Sequence, residues 1–108
     1  MLELDGKNYG SQVAQCRDTV LIGLCAGSER PLSEGFLQFA AVPIPGIRCC
    51  KLDILAQPEL AGNLCLSAGG NGNPSLLLME RGTITQRFRG NYSREALRKI
   101  LDLEALGE

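Results

Sequence analysis

The chain has no histidine and no tryptophan, and no two of its five cysteines stand with two residues between them. Without an imidazole, a Ser-His-Asp or Cys-His nucleophile has no general base. Without histidines or closely paired cysteines, the common tetrahedral zinc sites have no ligand set, so neither a metal nor a cofactor is expected. No apolar run approaches the roughly 18 residues that a membrane helix needs. Met1-Leu2-Glu3-Leu4-Asp5 is acidic where a leader is basic and then apolar. A formal net charge of -1 lacks the excess of Lys and Arg that grips a phosphate backbone. These absences read as a soluble, cytoplasmic chain with neither a membrane nor a nucleic-acid partner. An odd cysteine count in such a chain suits reduced, buried thiols better than a disulfide framework.

What is present reads as one domain, 1–108. A chain of 108 residues can bury a single core and not two, and 44% hydrophobic with 21% charged residues is the balance of an ordered globular protein. The chain is organised around Thr19-Val20-Leu21-Ile22-Gly23-Leu24-Cys25, whose apolar character without alternation predicts a strand covered on both faces. Pro31 suits the first turn of a following helix. The turn between strand and helix is where an α/β fold usually carries its chemistry.

Around that centre, Leu2-Glu3-Leu4 alternates as a short strand, and Tyr9, Val13 and Cys16 fall on one face of a helix over 8–16. Leu32, Phe36, Phe39 and Ala40 repeat the pattern, predicting a helix over 31–42 that Pro43 stops. Residues 47–54 read as a strand and 57–64 as one or two helical turns; glycine-rich 67–73 reads as a loop. Residues 76–79 and 83–88 read as strands joined by a tight hairpin in which Gly82 supplies φ > 0. Ser93 reads as the N-cap of a last helix reaching 106, with Glu95 favoured by the dipole, Leu97, Ile100 and Leu101 as its buried stripe, and Gly107 as its stop. The order β-α-β-α-β-α-β-β-α predicts the α/β class with a mixed central sheet of about five strands. Right-handed crossovers put the first three in one parallel group, and the hairpin makes the last two antiparallel.

Four stretches carry a likeness to a known family. The apolar strand leads to Ala26, with Ser28 two residues on and Glu29-Arg30-Pro31-Leu32 beyond it; Lys51-Leu52-Asp53-Ile54 forms a later strand. Asn73-Pro74-Ser75-Leu76-Leu77-Leu78 opens another, and Glu80-Arg81-Gly82 is followed by Phe88-Arg89-Gly90. In this order they resemble the thioredoxin family over the whole chain, with Ser28 at the family's tryptophan and Glu29-Arg30-Pro31-Leu32 in place of Cys-Gly-Pro-Cys. The resemblance implies a three-layer α/β/α sandwich.

It also implies a site stripped of its chemistry. Dithiol exchange needs a thiolate lowered in pKa at a helix N-terminus and a resolving thiol three residues on. Glu29 and Leu32 stand at those positions, and Gly23 stands where the family has a buried relay acid. The resemblance implies further that the Asn73-Pro74 bond is cis and that the backbone just before it pairs with an extended chain. The expected function is a redox-inactive thioredoxin-like domain that binds a protein or peptide. Its groove would lie between Ser28, Glu29, Arg30 and Asn73, Pro74, Ser75, with Gly90 closing one side.

Glu29 reads either as a first-turn carboxylate stabilised by ~0.3–1 kcal/mol, with Arg30 solvated beside it, or as recognising a charged partner group together with Arg30. A lone carboxylate with no second acid or histidine is a poor catalyst. The alternative from a different class is a thiol-dependent oxidoreductase or glutathione-binding protein using one cysteine, Cys25 beside the turn or Cys65 beside the glycine-rich loop. Cys49 and Cys50, adjacent in a strand, point to opposite faces and read as core. A third reading makes the groove an oligomer interface.

Overall fold

The structure is a computed structural model that describes residues 1–28, 30–64, 66 and 73–101. Its strands are Leu2–Glu3 (β1), Thr19–Cys25 (β2), Ile47–Asp53 (β3), Leu76–Glu80 (β4) and Thr83–Phe88 (β5). Its helices are a π-helical turn at Gly10–Ala14, then Glu34–Ala40 (α1), Pro58–Asn63 (α2) and Arg94–Ile100 (α3). Among the described residues no helix is long and apolar enough to cross a membrane.

Strand β2 lies at the centre of a five-stranded mixed sheet of order β1-β3-β2-β4-β5. Val20, Leu21, Ile22, Gly23 and Leu24 are all buried, as an unbroken apolar strand requires when both its faces are covered. Strand β2 runs parallel to β3, with Ile22 opposite Cys50, and β3 runs parallel to β1. On its other side β2 pairs antiparallel with β4, which forms a hairpin with β5. The parallel group of three and the antiparallel pair are as the sequence pattern predicts.

Alternation along the strands sorts the core into two layers. Val20, Ile22, Leu24, Cys50, Leu52, Leu77 and Met79 face one side, closed by Val13 of the π-helical turn and by Leu60 and Ala61 of α2. Leu21, Leu76, Leu78 and Phe88 face the other, closed by Phe36 and Phe39 of α1 and Leu97 of α3. Each such fully buried large side chain contributes roughly 1.5–3 kcal/mol. Cys49 packs on the second layer while Cys50 belongs to the first, the opposite-face arrangement expected of neighbours in a strand.

Several elements differ from expectation. Helix α1 begins at Glu34 and not at Pro31, because the Ser33 hydroxyl accepts the Phe36 amide at 3.3 Å and so satisfies one of the orphan donors of the first turn. It ends at Ala40, two residues early. The helix expected over 8–16 is a short π-helical turn in which the Gln15 amide reaches Gly10 O, a wide i to i−5 closure. Asp5 and Asn8 fix its entry reciprocally: Asp5 Oδ1 accepts the Asn8 amide and Asn8 Oδ1 accepts the Asp5 amide, both at 2.9 Å. The expected loop at 67–72, the end of the last helix beyond 101 and the stop at Gly107 lie outside the described residues.

In the β4–β5 hairpin both central residues have positive φ, Arg81 at 54° and Gly82 at 80°, the type I′ geometry that matches strand twist. The register slips by one residue between Leu78 and Met79, leaving Thr85 unpaired. Its Oγ1 donates to Leu78 O at 3.2 Å.

Gly35 is where α1 meets the segment leading into α3. A Cβ there would lie 1.8 Å from Tyr92 O, which is backbone and cannot turn aside. Gly→Ala inside an unobstructed helix gains about 1 kcal/mol; Gly35→Ala is expected to lose about 1–3 kcal/mol instead. The midpoint of urea unfolding reads the sign directly.

Candidate functional site

Three connections meet at the carboxyl ends of the parallel strands β2 and β3. The first is the loop after β2. Ala26 N donates to Arg30 O at 2.9 Å and Arg30 N to Ala26 O at 3.2 Å, closing 26–30 into a tight loop. Gly27 takes φ 56°, which costs a glycine nothing. Ser28 is exposed on this loop, and Glu29 lies outside the described residues.

The second connection is the turn after β3. The Asp53 carboxylate accepts the amides of Leu55 at 2.9 Å and of Ala56 and Gly27 at 3.2 Å. It therefore staples the 26–30 loop to the β3–α2 turn. Burial pushes its pKa up, but the amides of Ala56, Leu55 and Gly27, together with Lys51, outweigh that and hold it below the usual carboxylate value.

The third is Asn73-Pro74-Ser75. Arg30 Nη2 donates to Asn73 O at 3.1 Å, spanning from the first loop to the third. Ser75 is already part of the sheet: its amide donates to Phe88 O at 2.7 Å and its carbonyl accepts the Leu24 amide at 2.9 Å. Its hydroxyl lies 2.6 Å from Gly90 O, which accepts from it. Arg30, Asn73, Ser75 and Gly90 are thus brought together, with Pro74 buried among them.

Two expectations about this cluster are corrected. Among the described residues no peptide bond is cis, so Asn73-Pro74 is trans. Asn73 is anchored by Arg30 and Ser75 continues straight into the ladder, so the chain enters β4 without a tight turn there. For the same reason, the Asn73 carbonyl and both backbone groups of Ser75 are engaged within the chain, where free groups were expected. Pro31 also lies outside the first turn of α1, since Ser33 caps that helix and Glu34 is the acid in its first turn.

The thiols are poorly placed for nucleophilic work. Cys25 Sγ is half-buried and lies 3.7 Å from Leu52 O; burial, and then the charge of Asp53, push its pKa up. Burial and Cys50 push Cys49 up to about 11, and burial raises Cys50 as well. A protonated thiol is neither a competent nucleophile nor a metal ligand. Cys65 lies outside the described residues. At Gly23, where the resemblance places a relay acid, hydrocarbon fills the space: Phe36 Cε2 lies 2.4 Å and Leu32 Cδ2 2.8 Å from a built Cβ position.

One feature escaped a reading based on total charge. Arg81, Arg87, Arg89, Arg94, Arg98 and Lys99 stand against Glu95 alone, six cations to one anion across 81–99 in a chain whose net charge is -1. Among the described residues none of the six has an ion-pair partner, and Lys51 to Glu3 at 3.9 Å is the ion pair found there. A windowed charge count along the sequence finds this segment. No protein-family model matches the chain, and no curated protein does.

The staple at Asp53 has a pH signature. Its folded pKa lies below the unfolded value of about 3.9. It therefore contributes stability above that value, which is lost as pH falls through the lower folded value. Asp53→Asn is expected to reduce stability at neutral pH, with the gap to the unmodified protein narrowing in the window below about pH 4. Two curves that stay parallel over that window contradict it.

Proposed function

We propose that the chain is a redox-inactive, thioredoxin-like domain that works as a protein or peptide interaction module. The order β1-β3-β2-β4-β5, with three parallel strands, an antiparallel hairpin and helices on both faces, supports the thioredoxin-like arrangement alongside the four matching stretches of sequence. The observation that carries the functional half is the state of the loop after β2. It is closed on itself by Ala26 and Arg30, and the thiol beside it, Cys25, is pushed toward its protonated form. A dithiol enzyme needs the reverse, an exposed thiolate at a helix N-terminus.

What remains for such a domain is its surface. The proline segment is a weak candidate for docking, because a peptide would have to displace Arg30 from Asn73 O and Ser75 from the ladder. The reduced thiols of Cys16, Cys25, Cys49 and Cys50 suit a reducing compartment, so the cytoplasm is the proposed location.

Dithiothreitol-driven reduction of insulin tests the redox half. The purified protein and its Cys25→Ser and Cys65→Ser variants are all expected to leave the lag before precipitation unchanged. A lag shortened by the unmodified protein, and restored by either substitution, contradicts the reading.

A further inference from the structure

We propose that the outer edge of β5 is a docking strand for an extended acidic peptide, held by backbone pairing and by Arg87 and Arg89. The proposal rests on the interaction-module reading and names its surface and its partner's chemistry. Strand β5 is last in the sheet order, so one side of its backbone has no strand neighbour among the described residues. Thr83, Thr85, Gln86 and Arg87 are exposed. An open edge is a template for an added strand.

Charge selects the occupant. Arg87 and Arg89 are exposed and lie two residues apart, a repeat of roughly 6.6–6.8 Å along an extended chain, which is also the spacing of alternate side chains in a strand laid beside them. The segment that follows adds Arg94, Arg98 and Lys99 on α3, and Tyr92, two residues before that helix, meets Phe88 edge-on with ring centroids 5.4 Å apart. Two copies joined edge to edge would oppose like charges, so the same arginines that admit an acidic strand repel a second β5.

A nucleic acid is disfavoured by the aromatic inventory. Single strands are held by exposed rings on which bases stack. Here Phe36, Phe39 and Phe88 are buried, and Tyr9 and Tyr92 pack against the two core layers. With no tryptophan, no ring remains as a stacking platform.

The test uses an acetylated, amidated decapeptide alternating Glu and Val, its fluorescent label read by anisotropy, and amide chemical shifts of the full-length protein. The peptide is expected to bind, to shift the amides of Thr83–Phe88 most, and to weaken about tenfold or more in Arg87→Glu/Arg89→Glu. N-methylation of the same peptide at every residue keeps its charge, removes its ladder donors on both edges and is expected to abolish binding to the unmodified protein. Equal binding of the N-methylated peptide, shifts centred elsewhere, no binding at all, or tighter binding of an oligothymidylate of ten nucleotides would each overturn the proposal. A negative result here with an unchanged insulin lag removes only the β5 edge, whereas a shortened lag removes the interaction-module reading itself.

Discussion

Gly23 leaves an opening in the middle of β2 into which Phe36 and Leu32 descend. A Cβ at that point would sit 2.4 Å from one ring carbon of Phe36 and 2.7 Å from another, with a Leu32 methyl at 2.8 Å. Phe36 is fully buried, and interiors are packed densely enough that such a ring has nowhere to retreat. The absence of one side chain on the central strand therefore sets how deeply α1 lies on the sheet. It also brings Leu32, which precedes the helix, into the core layer that Phe36, Phe39, Leu76 and Leu97 form.

That seating shapes the loop above it. The helix starts after Ser33, whose hydroxyl caps it, and Leu32 packs into the core layer from the segment before it. The stretch between strand and helix is left to close on itself through Ala26 and Arg30 and to be stapled by Asp53. Arg30 is thereby engaged within the chain, through its backbone with Ala26 and through its guanidinium with Asn73 O. The depth of α1 on the sheet and the entry of Leu32 into its core layer share one cause, the missing side chain at Gly23.

Much of this was legible in the residues, wherever the signal is local. The unbroken apolar run of β2, the turn at Arg81 and Gly82, and the cap at Ser93, whose hydroxyl accepts the Ala96 amide at 3.1 Å, all express themselves within a few positions. Ser33 is of the same residue type as Ser93, but Pro31 two residues earlier is also a good helix start, and the structure takes the serine. The π-helical turn was legible as a buried face at Val13 and not as a helix type, because its i to i−5 closure depends on how Asp5 and Asn8 fix the entry. The bond from Arg30 to Asn73 joins residues 43 apart in the chain, and no local pattern reports it; with it went the expected cis bond and free carbonyl. The cationic segment at 81–99 was written plainly in the sequence and hidden by averaging against the acidic remainder.

The chain thus concentrates positive charge on the antiparallel side of the sheet, while at the carboxyl ends of β2 and β3 Arg30 and Asp53 are engaged within the chain. The seating of Phe36 and Leu32 depends on the space above Gly23, and Gly23→Ala measures that dependence most directly. At a site with room, replacing glycine by alanine stabilises by about 0.4–1 kcal/mol through the unfolded chain. The packing described here predicts a loss of about 1–3 kcal/mol in urea unfolding, with hydrogen-exchange protection falling first in α1. An unchanged or raised midpoint, with α1 as protected as before, would contradict it.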